Sequence, residues 1–204
     1  MITSVLFDFG GVIAEEGFRK GLRVIAAKNG IDPERFFTVA RELIYETGYV
    51  TGHAPEAAYW DALRRATGVH GADADLREEI ISRLALRPDM IDEADRLKTR
   101  GLDAGILSDQ TDWLDEIDNA THFSRHFDRV LNSFHLGKSK REPSLFDDVA
   151  AILHRKPGEI LFIDDTEEHV KRAAAQGWNA MHFRDAGSFK RDLARVLPFS
   201  DAVK

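Results

Sequence analysis

The chain has 204 residues, of which 43% are hydrophobic and 31% are charged, and its formal net charge is -7 at pH 7. This length accommodates one good-sized domain, or a domain with a smaller one inserted. The acidic balance argues against a nucleic-acid partner, and the lack of cysteine excludes disulfides, thiolate zinc sites and cysteine nucleophiles.

Targeting and membrane signals are weak. The N-terminal segment predicts a strand rather than a signal peptide, because it lacks a basic n-region and its apolar run is short. No apolar stretch reaches the roughly 18 residues that a membrane-spanning helix needs. We therefore expect a soluble cytoplasmic protein with no membrane partner. The sequence leaves the oligomeric state open.

The first predicted strand ends in a carboxylate. Residues 4–7 are an apolar run typical of a buried strand, and Asp8 follows it directly. The glycines Gly10 and Gly11 then allow the backbone to turn sharply. Because ligand sites in open α/β sheets gather at such strand ends, Asp8 is a candidate functional residue.

From about residue 18 to residue 100 the pattern predicts helix after helix and no convincing strand. Asp32 and Pro33 are typical of a helix start, and an apolar stripe at helical spacing follows them. Further helices are expected at about 55–66, 74–84 and 88–100, between glycines and prolines. We therefore predict an all-helical insert over residues 15–87.

Beyond Gly101 the pattern changes to strands that alternate with helices. Strands are expected at 104–107, 129–131, 160–163 and 180–183, and helices at about 112–120, 144–153, 167–175 and 189–197. Such alternation indicates a parallel sheet covered on both faces. The predicted fold class is α/β: a Rossmann-like parallel sheet core formed by residues 1–14 and 88–204, interrupted by the helical insert.

Polar residues also follow two of the later strands. Ser108 and Asp109 come after the strand at 104–107, and Asp164 and Asp165 come after the run at 160–163. Together with Asp8, the second pair would bring three acids to one edge of the sheet. They would repel each other unless a cation or a role in catalysis offsets the repulsion.

Four segments, taken in order, resemble the haloacid dehalogenase-like hydrolase superfamily. They are Asp8 with Gly10-Gly11, Leu107-Ser108, Gly137 to Lys140 with Glu142-Pro143 and Phe146, and Asp164-Asp165. The third segment matches the family pattern Gly-x-x-Lys-Pro-Asp/Glu-Pro-x-x-Phe except at Arg141. The resemblance covers about 1–14 and 100–185, and the helical insert lies where the family places its substrate-selecting cap.

The resemblance implies a Mg²⁺-dependent phosphatase that acts on a small phosphorylated metabolite, for example a sugar phosphate. Asp8 would be the nucleophile and form an aspartyl-phosphate, and Ser108 and Lys140 would take part in catalysis. The implied phosphate-binding residues are Phe9, Gly10, Gly11, Ser108, Asp109 and Lys140. The implied Mg²⁺ ligands are Asp8, the Gly10 carbonyl, Asp164 and Asp165.

Three positions depart from the family pattern. Gly10 stands where phosphatases of the superfamily usually carry a second aspartate, which acts as general acid and then as base. Asp109 replaces a frequent asparagine, and Arg141 replaces a proline. We expect the charges of Asp109 and Arg141 to offset each other in part. Asp109, Glu15 or Glu16 is a candidate for the proton donor that Gly10 cannot supply.

Two other functions stay open at this point. A 2-haloacid dehalogenase also lacks the second aspartate but needs no metal, and the pair Asp164-Asp165 argues against it. A catalytically impaired relative that binds a phosphorylated ligand or a partner protein is compatible with Gly10 and Asp109.

The histidines, including His169, lack metal-ligand spacing and are expected in the core or on the surface. Substrate choice would depend on insert side chains, and the sequence leaves open which of Arg19, Lys20, Tyr45, Tyr49 and Trp60 face the cleft. The helical aromatics Phe36, Phe37 and Trp60 are expected in the core.

Overall fold

A five-stranded parallel sheet organises residues 1–197, which are the residues that the computed structural model describes. The strands are β1 (Ser4–Phe7), β2 (Asp103–Ser108), β3 (Arg129–Asn132), β4 (Ile160–Asp164) and β5 (Asn179–His182). Their order across the sheet is β3-β2-β1-β4-β5, so β1 is central. This architecture confirms the predicted α/β class with a Rossmann-like core. The part of the predicted core at 198–204 lies outside the described residues.

Helices precede and follow the strands as the pattern predicts. They are α1 (Gly17–Lys28), α2 (Pro33–Glu46), α3 (Glu56–Thr67), α4 (Asp73–Ile81), α5 (Pro88–Thr99), α6 (Trp113–Thr121), α7 (Ser133–Leu136), α8 (Ser144–Leu153), α9 (Glu167–Ala175) and α10 (Ala186–Val196). The short α7 was not predicted, because four residues are too few to show helical periodicity. Within residues 1–197 no helix is both long and apolar enough to cross a membrane.

Side chains that alternate along the strands bury two faces of the sheet. Val5 and Phe7 of β1 face one apolar cluster, to which α5, α6 and α10 contribute. Leu6 faces the other cluster, to which α8 and α9 contribute. Fully burying one such side chain stabilises the fold by about 1.5–3 kcal/mol. The central strand is therefore fixed from both sides, and so is the residue that follows it.

Helices α1 to α4 lie between β1 and β2 and have an apolar cluster of their own, which Trp113 of α6 joins. The Asp32 carboxylate caps α2 by accepting the Arg35 N–H at 2.8 Å, as the predicted helix start requires. A Cβ on Gly21 of α1 would lie 2.7 Å from the Ile80 Cα of α4, so glycine permits the close packing of these two helices. Residues 15–87 are called the insert below.

The two chain segments that join the insert to the sheet run side by side. The Glu15 N–H donates to the Ala85 carbonyl and the Arg87 N–H donates to the Ile13 carbonyl, both at 2.8 Å. Ala14 and Leu86 form an antiparallel bridge between them. The insert is thus attached to the sheet through a paired connection, which keeps it near the end of β1.

The register of the strands positions the site. Phe7 pairs with Ile106 on one side and with Ile163 on the other. The residues that follow these pairs therefore come to the same edge of the sheet, because all three strands run in the same direction. Asp8 is consequently placed beside Asp164, across 156 residues of sequence, and its N–H donates to the Ile163 carbonyl at 2.8 Å.

Candidate active site

Three carboxylates converge at the carboxyl edge of the sheet. One side-chain oxygen from each of Asp8, Asp164 and Asp165 lies within 4.8 Å of the others. Asp8 is 8% exposed and Asp164 is fully buried, while Asp165 is half-buried. The sequence predicted this convergence from the strand ends alone.

The Asp8 carboxylate is held through one of its two oxygens. Oδ1 accepts hydrogen bonds from the Ser108 hydroxyl at 2.5 Å and from the Phe9 N–H at 2.8 Å, and the Lys140 Nζ lies 3.0 Å from it. No donor within residues 1–197 contacts Oδ2 at hydrogen-bonding distance. The side chain is therefore fixed in orientation while one oxygen stays free to attack an electrophile or bind a cation.

Lys140 is buried between two of the acids. Its Nζ donates to the Asp164 Oδ2 at 2.6 Å, and the side chain is 1% exposed. Burial alone would lower the pKa of Lys140, but Asp164 and Asp8 raise the pKa above its ordinary value, so the ammonium stays charged. This places a permanent positive charge beside the candidate nucleophile.

Asp164 is saturated by donors from the chain. Its Oδ1 accepts the Thr166 N–H at 2.7 Å, and its Oδ2 is approached by Lys140 and, at 3.2 Å, by the His169 Nδ1. Although burial raises the pKa of Asp164, Lys140 and His169 hold it below its ordinary range. His169, for which the sequence predicted only a core or surface position, thus supports one of the acids of the site. Its position five residues after Asp164 was the available signal.

The other two acids, Asp8 and Asp165, both have pKa values above the ordinary range. Burial raises the pKa of Asp8, with Asp164 adding to the effect against the opposing charge of Lys140. Burial and the charges of Asp8 and Asp164 raise the pKa of Asp165 to about 7. Three acids around one ammonium leave a surplus of negative charge that a hard cation with oxygen ligands would neutralise. The donor set therefore fits Mg²⁺.

Gly11 makes room for the Asp165 carboxylate. A Cβ at position 11 would lie 2.0 Å from the Asp165 Oδ2, and the φ angle of Gly11 is +84°, a region that favours glycine. Position 11 therefore needs glycine for two reasons, the positive φ angle of the turn after β1 and the close approach of the Asp165 carboxylate.

Replacing Gly11 with alanine is expected to displace Asp165 and abolish Mg²⁺-dependent stabilisation, which thermal denaturation with and without Mg²⁺ measures. The matched control is Gly101→Ala, because Gly101 has a φ of +81° but a Cβ there would meet no other atom within 4 Å. The control should show the cost of backbone strain, about 1–2 kcal/mol, and keep the Mg²⁺ response. An equal response in both variants would contradict the assignment of Asp165.

The predicted phosphate-binding residues differ in their surroundings. Gly10, Asp109 and Lys140 line an open cleft beside Asp8. The Phe9 ring is fully buried in the sheet core and its N–H is already directed to Asp8. Ser108 is 1% exposed, with its hydroxyl on Asp8. The contacts of these residues with phosphate stay predictions.

Asp109 and Arg141 form no direct ion pair in the described structure. Against burial, which lowers the pKa of Arg141, the charge of Asp109 is one of those that raise it, which agrees with the expected partial compensation. The Asp109 carboxylate accepts the Lys140 N–H at 2.8 Å and the Tyr45 hydroxyl at 2.9 Å. The Arg141 guanidinium donates to Glu42 at 2.9 and 3.1 Å and lies 3.5 Å from the centre of the Tyr45 ring. Each therefore binds helix α2 of the insert, and we call Glu42, Tyr45, Asp109 and Arg141 the bridging cluster.

We expect Glu42→Gln to raise KM about two- to tenfold while kcat changes little. The reason is that a half-exposed bidentate ion pair beside a cation–π contact contributes modestly to the free energy that holds the insert over the cleft. Steady-state kinetics on an aryl phosphate, a generic substrate for the phosphatase that the sequence resemblance implies, measures both constants. Glu46→Gln is the control, since Glu46 is exposed on the same helix and has no ion pair among the described residues. Equal KM values in the two variants would show that the bridging cluster does not hold the insert over the cleft.

The cleft between the sheet edge and the insert has a volume of about 480 Å³. Arg19 and Tyr45, two of the insert residues left open by the sequence, line it. Lys20 instead pairs with Glu15 at 2.7 Å. Further lining residues that the sequence reasoning missed are Phe18, Phe37, Arg41, His169 and His182.

Two of the aromatic residues left open by the sequence do not face the cleft, and for Trp60 this confirms the expected core position. Tyr49 and Trp60 are fully buried in the apolar cluster of the insert, where they contribute to its packing rather than to the cleft. Phe36 is also buried as expected, whereas the core prediction was wrong for Phe37, which lines the cleft. Aromatic residues at helical spacing fit either environment, so only the direction of each helix face decides between them.

One protein family matches most of the chain. A model of the haloacid dehalogenase-like hydrolase family matches residues 2–177. The chain belongs to the haloacid dehalogenase-like hydrolases. The matched residues include strands β1 to β4 and the whole acidic cluster, and they end before β5 and α10.

Curated relatives of this hydrolase match it over about half of its length. Bifunctional epoxide hydrolase 2 of Rattus norvegicus is 32% identical over 114 residues, which are 52% of this chain and 20% of the relative. The protein of the same name from Sus scrofa is 28% identical over 128 residues, or 58% of this chain and 22% of the relative. The chain therefore spans about a fifth of the length of these relatives.

Solved structures share the fold over almost the whole chain. A haloacid dehalogenase family enzyme from Bacteroides thetaiotaomicron has a TM-score of 0.76 at 22% identity, covering 94% of this chain and 98% of its own. Its complex with magnesium and inorganic phosphate has a TM-score of 0.72 at 21% identity, with 93% and 99% covered. L-2-haloacid dehalogenase from Xanthobacter autotrophicus has a TM-score of 0.67 at 20% identity, with 97% and 84% covered.

Proposed function

We propose that this haloacid dehalogenase-like hydrolase is a Mg²⁺-dependent phosphatase that hydrolyses a small phosphorylated metabolite, such as a sugar phosphate, through an aspartyl-phosphate on Asp8. The observation that carries the proposal is the convergence of Asp8, Asp164 and Asp165 within 4.8 Å beside the buried Lys140. A structural neighbour that binds magnesium and phosphate supports it.

Asp8 would act as the nucleophile through its free oxygen. Attack by Oδ2 on the phosphorus forms the Asp8–phosphate bond and expels the alcohol oxygen, and water then cleaves the aspartyl-phosphate. Ser108, Phe9 and Lys140 fix Oδ1 and so orient Oδ2 before the substrate arrives.

Charge neutralisation is the main task of the surrounding residues. A carboxylate and a phosphate about 4 Å apart repel each other by roughly 4 kcal/mol at an effective dielectric constant of 20. The Lys140 ammonium offsets part of this repulsion and stabilises the phosphoryl oxygens. When bound by Asp8, Asp164, Asp165 and the Gly10 carbonyl, Mg²⁺ supplies Lewis-acid neutralisation of the same charges.

The insert supplies the substrate side of the cleft, and we propose that residues 15–87 act as a cap over the core formed by residues 1–14 and 88–204. A space of about 480 Å³ suits a small ligand. Arg19, Phe37 and Arg41 lie on its insert side, with both guanidinium groups stacked on the Phe37 ring at 4.7 and 5.6 Å. Two guanidinium charges in a cleft of this size favour a compact anionic substrate.

Hydrolysis of 4-nitrophenyl phosphate with and without Mg²⁺ tests the proposal, with chloride release from 2-chloroacetate measured in parallel. Phosphate release that requires Mg²⁺ supports the phosphatase. Chloride release without metal would instead identify a 2-haloacid dehalogenase. A protein that binds inorganic phosphate but catalyses neither reaction, across a panel of sugar phosphates and nucleotides, would be a binding relative that has lost activity.

A further inference from the structure

The leaving alcohol needs a proton that position 10 cannot supply. Gly10 has no side chain, although it lines the cleft beside Asp8. The loop that follows β1 folds back on itself, since the Ala14 N–H donates to the Phe9 carbonyl at 2.8 Å and Gly10 pairs with Ala14. This closed loop returns the chain to the sheet edge at Glu16, a residue that also lines the cleft.

The Glu16 carboxylate is held in place by the first turn of α1. Its Oε2 and Oε1 accept the Arg19 N–H at 3.0 and 3.2 Å. The side chain is half-buried, and its charge is one of those that raise the pKa of Asp165, after burial, Asp8 and Asp164. Glu16 is therefore an oriented carboxyl group within electrostatic range of the acidic cluster.

The charges that face Glu16 are Arg19 and Lys20 from α1 and Asp165 from the end of β4. Burial raises the pKa of Glu16 above its ordinary value, although the Arg19 N–H and both cations oppose this. A raised pKa increases the fraction of carboxyl groups that keep a proton near neutral pH, which a general acid requires.

Asp8 and Asp165 also line the cleft but are assigned to the nucleophile and the cation site, and the remaining carboxyl groups near it are less suitable. Glu15 pairs with Lys20 and Arg87, which lower its pKa. Asp109 accepts hydrogen bonds from the Lys140 N–H and the Tyr45 hydroxyl. Glu167 and Glu168 are exposed at the start of α9.

We propose that Glu16 is the catalytic residue that transfers protons in place of the missing acid at position 10, an inference that rests on the proposed phosphatase function. As the phosphorus–oxygen bond of the substrate breaks, the Glu16 carboxyl gives its proton to the departing oxygen and releases an alcohol. The Glu16 carboxylate then accepts a proton from water, whose oxygen bonds to phosphorus while the Asp8–phosphate bond breaks. Asp8 returns as a carboxylate and Glu16 as a carboxylic acid.

The test is Glu16→Gln, because glutamine keeps an oxygen that can accept the Arg19 N–H while it cannot transfer the proton. First-turnover rates are measured with Mg²⁺ on phenyl phosphate and on 2,4-dinitrophenyl phosphate, whose leaving group needs no proton. We expect the rate on phenyl phosphate to fall about 10²–10⁴-fold, a typical contribution of general acid catalysis. Release of dinitrophenolate in the first turnover should stay within about tenfold of the wild type.

A second signature separates this role from a structural one. Since the same residue would activate water, the Glu16→Gln variant should release a burst of dinitrophenolate equal to the enzyme concentration and then turn over slowly. Glu15→Gln is the control and should show neither effect. Equal losses on both substrates without a burst would overturn the assignment of Glu16 but leave the phosphatase intact. A wild type that hydrolyses neither substrate would overturn both proposals.

Discussion

Replacing Asp8 with asparagine is expected to reduce Mg²⁺-dependent phosphate release by at least about 10³-fold, since removal of a nucleophile leaves only binding and charge stabilisation. Asparagine preserves the shape of the side chain, and its Oδ1 can still accept the Phe9 and Ser108 hydrogen bonds. The change thus removes the attacking oxygen and one negative charge. Initial rates on 4-nitrophenyl phosphate measure the loss.

The fold of the Asp8→Asn variant should be intact. Burial and the neighbouring Asp164 raise the pKa of Asp8, so losing this charge relieves repulsion and should keep or raise the thermal stability without metal. Asp103→Asn is the matched control, because Asp103 lies at the opposite end of the neighbouring strand and pairs with Arg155 at 2.7 Å. An Asp8→Asn variant as active as this control would exclude the nucleophile assignment.

Replacing Lys140 with methionine should have the largest effect on stability. The side chain is 1% exposed and lies within 3.0 Å of both Asp8 and Asp164. Methionine keeps much of the aliphatic volume but leaves these carboxylates without a cation. Removing one partner of a buried ion pair costs about 3–5 kcal/mol, which denaturant unfolding in the absence of Mg²⁺ measures.

The same Lys140→Met variant should lose about 10²–10³-fold in kcat, because a preorganised positive charge at the phosphoryl group is missing. Adding Asp164→Asn should recover part of the stability without recovering the activity. Lys138→Met is the control, since Lys138 pairs with Asp148 at the surface and should affect neither property strongly. If Lys140→Met unfolded no more easily than this control, the buried charge network would be wrong.

The sequence predicted the acidic cluster well because the end of each strand is marked by a short local pattern. Asp8 and Asp164 each follow an apolar run, and the two runs pair with their last residues aligned. In a parallel sheet the ends of neighbouring strands share an edge, so two short patterns were enough to bring distant residues together.

The contacts between the insert and the sheet edge could not be predicted in the same way. Arg141 meets Glu42 across 99 residues, and Asp109 meets Tyr45 across 64. Both contacts depend on where α2 lies over the cleft, which the packing of α1 to α4 determines. Helical periodicity shows which face of α2 is apolar but not which residue at the rim of that face reaches Arg141.

Which of the candidate proton donors faces the cleft could not be predicted from the sequence either. Glu15 and Glu16 are adjacent in sequence and have the same chemistry, yet only Glu16 lines the cleft. Glu15 is turned towards Lys20 and Arg87 by the paired connection between insert and sheet. Such a difference depends on the direction of a single side chain at a helix start, which composition and spacing do not encode.

Calorimetric titration of Mg²⁺ into the wild type and into Asp165→Asn tests most directly whether the three carboxylates form a cation site. Of the three carboxylates, Asp165 accepts the fewest hydrogen bonds from residues 1–197, namely one from the Thr166 hydroxyl to Oδ1 at 3.5 Å, so this side chain should bind the ion itself. We expect one site in the wild type and an affinity at least about tenfold lower in the variant, as for the loss of a ligand or of its support. No binding to the wild type, or equal affinity in both proteins, would contradict the metal site.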